Sequence, residues 1–493
     1  MENSMMENRG KGAVERTAEE AVESVARLLR DPDRAPGVMA APGNADPYLG
    51  VSPWSAASLG DGYPGIALLF ARLARQDRSW RPVTHAQLSS AVSLLGGGSA
   101  ADSLYQGAPA LAFAVRTAVA GPGDYAGLLA ALDRRVAERV HALLTLERAR
   151  LATGERGPAM AAYDVIGGLT GLGRYLLACG DGQRPLLVAV LEYLVELSRP
   201  LRIGGRTVPG WCVPGPPSPG ADARFPDGHL NLGLAHGVPG PLALLALARR
   251  EGVVVPGMAE AAHRMAQWLL AHRRHDDEGA GGPDWPASLT PGHEHRPGGD
   301  RPGGVDAPRA RAAWCYGTPG VARSLQLAGQ AFDEPDWEAA AVRALHAVLD
   351  RPRERRGLHD AMLCHGAAGL LQVTARVARD SGDARLLARL GPLAEEVIAH
   401  YDPEAAFAFP CPPPPGAVTP GAVTPGTVTP GTVTPGTVTP GTVTPGGERP
   451  TWARDRAGFL EGAAGVALAL VDHLAGGAEE AGALPWDAAL LLA

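Results

Sequence analysis

Lysine is almost missing from this 493-residue chain: Lys11 is the only one, and no dense Lys/Arg run occurs anywhere. With a formal net charge of −7, the protein offers a polyanion no overall attraction, which argues against nucleic acid as a partner. Cysteine is scarce as well. Five cysteines form an odd, sparse set, unlike the dense patterns that staple small secreted domains, so free thiols or thiolate ligands are expected. No Cys-x-x-Cys pair exists, and with it goes the usual spacing of a closed structural zinc site. No apolar run approaches the ~18 to 20 residues needed to span a bilayer. The first residues, Met1 to Asn8, also lack a basic region followed by an apolar core. A cytoplasmic protein without a transmembrane segment is expected.

What the chain does contain is a repeat. Five stretches share one design: Asp61-Gly62-Tyr63-Pro64-Gly65, Leu234-Ala235-His236-Gly237-Val238-Pro239-Gly240, Trp314-Cys315-Tyr316-Gly317-Thr318-Pro319-Gly320, Leu363-Cys364-His365-Gly366-Ala367-Ala368-Gly369 and Leu460-Glu461-Gly462-Ala463-Ala464-Gly465. Ile166-Gly167-Gly168-Leu169-Thr170-Gly171 is a sixth copy, and Tyr105-Gln106-Gly107-Ala108-Pro109-Ala110 a degraded one that has lost its closing glycine. Seven copies imply seven structural repeats.

After nearly every turn comes an alanine-rich apolar run at helical spacing, such as 66–74, 242–248 and 466–471, which reads as a buried helix whose first turn is the Gly-x-x-Gly segment. Ahead of each turn lies a more polar amphipathic stretch, at about 14–31, 83–95, 124–150, 184–199, 256–274, 336–350 and 383–401. The shortest steps between first glycines, Gly62 to Gly107 and Gly317 to Gly366, are 45 and 49 residues. That suits two helices and their turns, so longer steps must carry insertions. Such pairs cannot bury their surfaces alone. An open solenoid needs polar capping repeats, and the last repeat here is as apolar as the middle ones. The expected fold is therefore all-α: an α/α toroid of seven inner and seven outer helices, closed on itself, with every glycine turn at one end.

Although 493 residues and a 45% hydrophobic composition permit two or three domains by length, the even distribution of repeats argues for one, residues 1–493. Its main interruption is an insertion at about 411–450, where four consecutive prolines precede six Gly-(Ala/Thr)-Val-Thr-Pro pentapeptides over 416–445. These offer no side chains for a core, so a disordered loop is expected. Smaller Pro/Gly-rich loops at 200–228 and 276–308 are expected to project from the surface.

Three turns carry metal-ligand chemistry just before the first glycine. Cys315 at one turn and the adjacent Cys364 and His365 at the next supply two thiolates and one imidazole from neighbouring repeats, the donor set of an open Cys2His zinc site. Within a helix, adjacent ligands would point about 100° apart, but a glycine turn entering a helix can aim both inward. The helix N-terminus also favours the thiolate form. A small buried thiol is the ordinary fate of a single free cysteine; it is the matched placement of all three residues that favours a ligand set. Cys179, Cys212 and Cys411 fall outside the matched turns, and His293 and His295 lie in a Pro/Gly loop, so no metal is expected at any of them.

These motifs resemble the lanthionine synthetase C-like family, the LanC cyclases: the run from Arg311 to Gly320 with Trp314-Cys315-Tyr316-Gly317, then Cys364-His365-Gly366, preceded by His236-Gly237. The resemblance extends from Gly62 to Gly465. It implies an α/α toroid, in line with the reading above, and one zinc ion held by Cys315, Cys364 and His365. It also implies a reaction: intramolecular addition of a cysteine thiol in a dehydrated precursor peptide to dehydroalanine or dehydrobutyrine, giving lanthionine or methyllanthionine rings. Attack on the β-carbon leaves an enolate that must be stabilised and protonated. The resemblance points to His236 as acid or base and to Asp164, in Tyr163-Asp164-Val165-Ile166-Gly167, as the group that orients His236 or the substrate. Asp164 can equally serve as a helix N-cap. Arg311, four residues before Cys315, becomes the candidate for the enolate oxygen; Tyr316 can line the pocket or pack in the core.

The length leaves no room for a fused dehydratase or kinase domain, so dehydration is expected from a separate partner, within a synthetase complex or apart from it. Two other readings use the same ring: addition of another thiol such as glutathione, and a non-catalytic peptide-binding scaffold. A toroidal glycosidase or terpene cyclase would call for paired carboxylates or an Asp-rich motif, and the turns offer mainly Asp61, Asp164 and Glu461.

Overall fold

The computed structural model describes residues 12–41, 43–45, 52–99, 101–154, 156–217, 225–274, 283–292, 311–412, 454–477 and 482–493. The tract at 416–445, His293 and His295 lie outside these residues.

Fourteen helices build the ring. Seven run outside: α1 (Ala13–Leu29), α3 (Arg81–Ser93), α5 (Ala126–Thr153), α7 (Arg184–Leu197), α9 (Met258–Ala271), α11 (Pro335–Asp350) and α13 (Leu390–Ile398). Seven alternate with them inside: α2 (Tyr63–Gln76), α4 (Ala108–Ala118), α6 (Leu169–Ala178), α8 (Pro239–Arg250), α10 (Thr318–Phe332), α12 (Ala367–Ser381) and α14 (Ala463–Leu474). The inner helices are buried nearly all round; α8, for instance, buries every residue from Pro239 to Ala248. Outer helices bury one stripe. In α1 it is Ala18, Ala21, Val22, Val25, Ala26 and Leu29, the spacing of a single helical face. Each inner helix packs on the next, and α14 returns to α2 and to the outer α1, which closes the ring.

The glycine turns meet at one end, where backbone hydrogen bonds step from repeat to repeat. Amides of Leu59, Phe459, Cys364, Cys315, Ala235 and Val165 donate to the carbonyls of Tyr105, Gly60, Leu460, Cys364, Cys315 and Ala235, at 2.6–3.4 Å. Six of the seven junctions are bonded in this way; at the seventh, Leu104 packs against Gly171 instead. The second glycine of each motif is a matter of space. The helix start passes under the carbonyl six residues earlier, so a Cβ on Gly465 would lie 1.9 Å from the Phe459 oxygen and one on Gly369 2.0 Å from that of Leu363.

Two features depart from the expected plan. The inserted loops do not simply project. The hairpin β1 (Leu201–Ile203) and β2 (Arg206–Val208) leads into buried Trp211, Cys212 and Val213. The short strands β3 (Leu230–Asn231) and β4 (Ser288–Leu289) pair beside buried Trp285. The large indoles drive this. Trp211 packs edge-on against Trp268, and the Trp285 indole donates to the Leu269 carbonyl at 2.7 Å, so their apolar area leaves water.

The second feature is a plug of residues 485–493 along the ring axis, touching inner helices on several sides. Asp487, fully buried, accepts two 2.6 Å bonds from Arg376 and one of 2.7 Å from Gln372. Tyr105 and Trp314 donate to the carbonyls of Ala489 and Leu490 at 2.8 and 3.0 Å. Arg323 and Arg174 hold the carbonyls of Leu492 and Ala493. No described helix is long and apolar enough to cross a membrane.

Candidate metal centre and active site

The ligand-bearing residues sit in the turn rather than in the helix: α12 begins at Ala367, just after Cys364-His365-Gly366. Outside the regular spiral, adjacent side chains need not diverge, and both turn toward Cys315. The ligand atoms of Cys315, Cys364 and His365 lie within 4.8 Å of one another, the one such trio among the described residues. Their backbones are tied through the Cys315 amide to the Cys364 carbonyl at 3.2 Å, so the girdle that closes the ring also fixes the spacing of the thiols.

The proximity shifts their protons. Cys315 is pulled down to about 5, first by the hydrogen bond from the Cys364 thiol and then, against the cost of burial, by His365. Cys364, giving that bond to a sulfur that carries charge, is raised, and burial adds to the effect. Burial opposes the charged form of His365, yet its bond to Cys315 and the neighbouring Asp360 raise it overall. The cluster thus favours one thiolate before any cation arrives. All five cysteines are free. Cys411 nonetheless borders this region, its sulfur 3.9 Å from the Glu461 carbonyl, with its pKa pushed up to about 12 chiefly by burial.

A second pair faces the cluster from the preceding repeat. His236 Nδ1 lies 2.6 Å from Asp164 Oδ2, and Asp164 Oδ1 accepts the Gly167 amide at 2.7 Å. Asp164 is not the N-cap of α6, which is Gly168; one of its oxygens holds the Gly167 amide in the turn ahead of the helix, and the other faces the imidazole. A carboxylate only accepts, so the Nδ1 proton belongs to His236, and among the described residues no hydrogen bond engages Nε2. Tyr316 bridges the two groups. Its ring lies 5.9 Å from that of His236, its hydroxyl accepts from Asn231 at 3.1 Å, and burial pushes its pKa up to about 12. The phenol keeps its proton. Gly233 makes room for it, since a Cβ there would lie 2.6 Å from the Tyr316 ring.

Arg311 stands apart. It is exposed, its side-chain carbons rest against Gly357, and among the described residues no hydrogen bond or ion pair joins it to the thiols, His236 or Tyr316. The chain leaves the turn outward here, with the Ala312 amide bound to the Arg356 carbonyl, and the guanidinium goes with it. The arginine beside the cluster is Arg456, paired with Glu461 and 3.7 Å from Asp61. Repeat register could have found it: nine residues before the second glycine stand Asn231, Arg311, Asp360 and Arg456, and four before it His236, Tyr316, His365, Glu461 and Asp61.

The cavities at the opposite end of the ring hold no comparable group. One of about 210 Å³ is lined by Arg72, Arg75, Arg376 and Arg379, but Arg75 donates to the Thr117 and Leu484 carbonyls and Arg72 pairs with Asp472.

The sequence model for "Lanthionine synthetase C-like protein" matches residues 53–409. The chain belongs to this family. As a lanthionine synthetase C-like protein it is 27% identical over 320 residues, 64% of its own length and 72% of the relative's, to the nisin biosynthesis protein NisC of Lactococcus lactis subsp. lactis. A solved nisin cyclase superposes with a TM-score of 0.67 at 21% identity, over 98% of each chain. That likeness establishes the α/α toroid as a shared fold.

Proposed function

We propose that this lanthionine synthetase C-like protein is a zinc-dependent lanthipeptide cyclase, which adds peptide cysteine thiols to dehydroalanine or dehydrobutyrine and so forms (methyl)lanthionine thioether rings. The observation that carries the reading is the Cys315, Cys364 and His365 trio set beside the His236–Asp164 pair. Two soft thiolates and an imidazole, with a half-buried His365, suit a borderline cation such as zinc and leave a further position for an incoming ligand. The likeness to NisC, named for nisin biosynthesis, supports a peptide substrate.

Cys315, Cys364 and His365 would hold zinc, and the bound ion would supply a Lewis acid that lowers the pKa of a substrate thiol, ordinarily near 8.5. His236, kept in one tautomer by Asp164, uses Nε2 to take the thiol proton or return one to the α-carbon. The balance is complete without an oxidant: a sulfur–carbon bond forms at the β-carbon, the alkene π pair becomes the enolate, and the α-carbon gains the proton. Tyr316, protonated at neutral pH, offers its hydroxyl to the developing oxyanion. We assign dehydration to a separate partner and place the reaction in the cytoplasm.

The test is zinc content per chain in the wild type and in Cys315→Ala, Cys364→Ala and His365→Ala, together with mass-spectrometric thiol counts on a dehydrated precursor peptide. About one zinc in the wild type, lost in all three variants along with thiol consumption, is expected for the three-donor site. A wild type that takes up no zinc from excess refutes the metal reading. A preference for glutathione, or peptide binding without turnover, refutes the cyclase.

A further inference from the structure

An imidazole can offer a metal either ring nitrogen, and the choice is set by whatever holds the other one. In His365 both nitrogens face a carboxylate. Nε2 lies 3.5 Å from Asp360 Oδ2, and Nδ1 lies 3.9 Å from Glu461 Oε1.

The two carboxylates are not equivalent. Asp360 is 9% exposed, and its other oxygen accepts the Met362 amide at 2.9 Å, so the carboxylate is fixed by its own turn. Gly366 leaves it space: a Cβ there would lie 2.1 Å from Asp360 Oδ1. Among the described residues no arginine pairs with Asp360. Glu461 is farther away, with 32% of its side chain exposed, and is already paired with Arg456. A fixed, buried, uncompensated carboxylate attracts the imidazole N–H more strongly than an exposed one whose charge is shared.

We infer that Asp360 is a positioning residue of the metal centre: it takes the Nε2–H of His365, fixes the tautomer and leaves Nδ1 as the donor to the cation. The inference rests on the zinc reading above. It also accounts for a short segment: Asp360, Met362, His365 and Gly366 form one unit in which the turn holds the carboxylate and the carboxylate holds the ligand.

Asp360→Asn keeps an oxygen for the Met362 amide and puts an NH2 group in place of the oxygen facing His365 Nε2, so it removes the charge and the acceptor together. In chelator competition with the full chain, zinc binding is expected to weaken about 10- to 100-fold, with the thermal midpoint of the metal-free protein unchanged. Glu461→Gln should lose less than about threefold. Histidine 15N spectra of the zinc-loaded wild type, which require no variant, should show His365 protonated at Nε2 and coordinated through Nδ1. Coordination through Nε2, wild-type zinc affinity in Asp360→Asn, or a larger loss in Glu461→Gln each overturns the assignment while leaving the zinc reading intact. A wild type that binds no zinc overturns both.

Discussion

Replacing Asp487 with alanine tests whether the plug is part of the ring's stability. The carboxylate is fully buried and receives two bonds of 2.6 Å from Arg376 and one of 2.7 Å from Gln372. Removing it takes from the mostly buried Arg376 its two bonds to Asp487, and breaking a buried pair costs about 3–5 kcal/mol. Against a typical total of about 5–15 kcal/mol, that is a large share. With a urea slope of about 3 kcal/mol/M, at the upper end for small proteins, the midpoint should fall by about 1–1.7 M. Trp486 sits next to the site and is one of nine tryptophans, so total tryptophan fluorescence and far-ultraviolet circular dichroism can be followed together to test whether unfolding is a single transition. The pH dependence has a definite sign. Burial works against the Asp487 charge, but Arg376 and Gln372 hold its folded pKa below the ordinary value. Its contribution is therefore complete above the unfolded pKa of about 3.9 and is lost as pH falls through the lower folded value. The gap between wild type and variant should stay constant from neutral pH to about 5 and narrow only below about 4. A midpoint shift under about 0.3 M, less than a third of the smallest expected, would show that the Asp487 carboxylate is not what holds the plug.

Two further substitutions separate the chemistry from the scaffold. Asp164→Asn should leave zinc content unchanged while cutting cyclisation by about 10²- to 10⁴-fold, the range of a displaced acid–base group; full activity would refute the orienting role of Asp164. Gly465→Ala places a methyl 1.9 Å from the Phe459 carbonyl, so the turn must open and the girdle bond at Phe459 be disturbed. A thermal midpoint within a degree or two of wild type would refute the close-approach explanation of the second glycine.

The ring was legible in the sequence because its cause is local and repeated: a glycine turn, an apolar run and an amphipathic run, seven times over. Cys315, Cys364 and His365 were legible for the same reason, since equal places in a repeat become neighbours when the ring closes. Arg311 shows where this argument ends. It occupies the same repeat position as Arg456, but the path of the chain before the turn, which periodicity does not encode, sends it outward. The pairing of Arg456 with Asp61 needed the first and last repeats to meet. The plug escaped altogether: Trp486 to Leu490 form a single short 3-10 turn without helical periodicity, and its carbonyls, carboxylate and indole are held by side chains scattered over five repeats. The burial of Trp211 and Trp285 was outweighed, in reading the sequence, by the prolines and glycines around them.

The filled axis also bears on topology. A torus with an open hole can be threaded, and a peptide stapled into loops while threaded would be trapped on its catalyst like a ring on a spindle. Here the chain's own residues 485–493 occupy that path, held by side chains from several repeats. Under the proposed function, a peptide crosslinked at the turn end would arrive and leave by the same route, and each new loop would close in front of the protein and never around it. Successive closures would then require only that the peptide shift sideways across the rim.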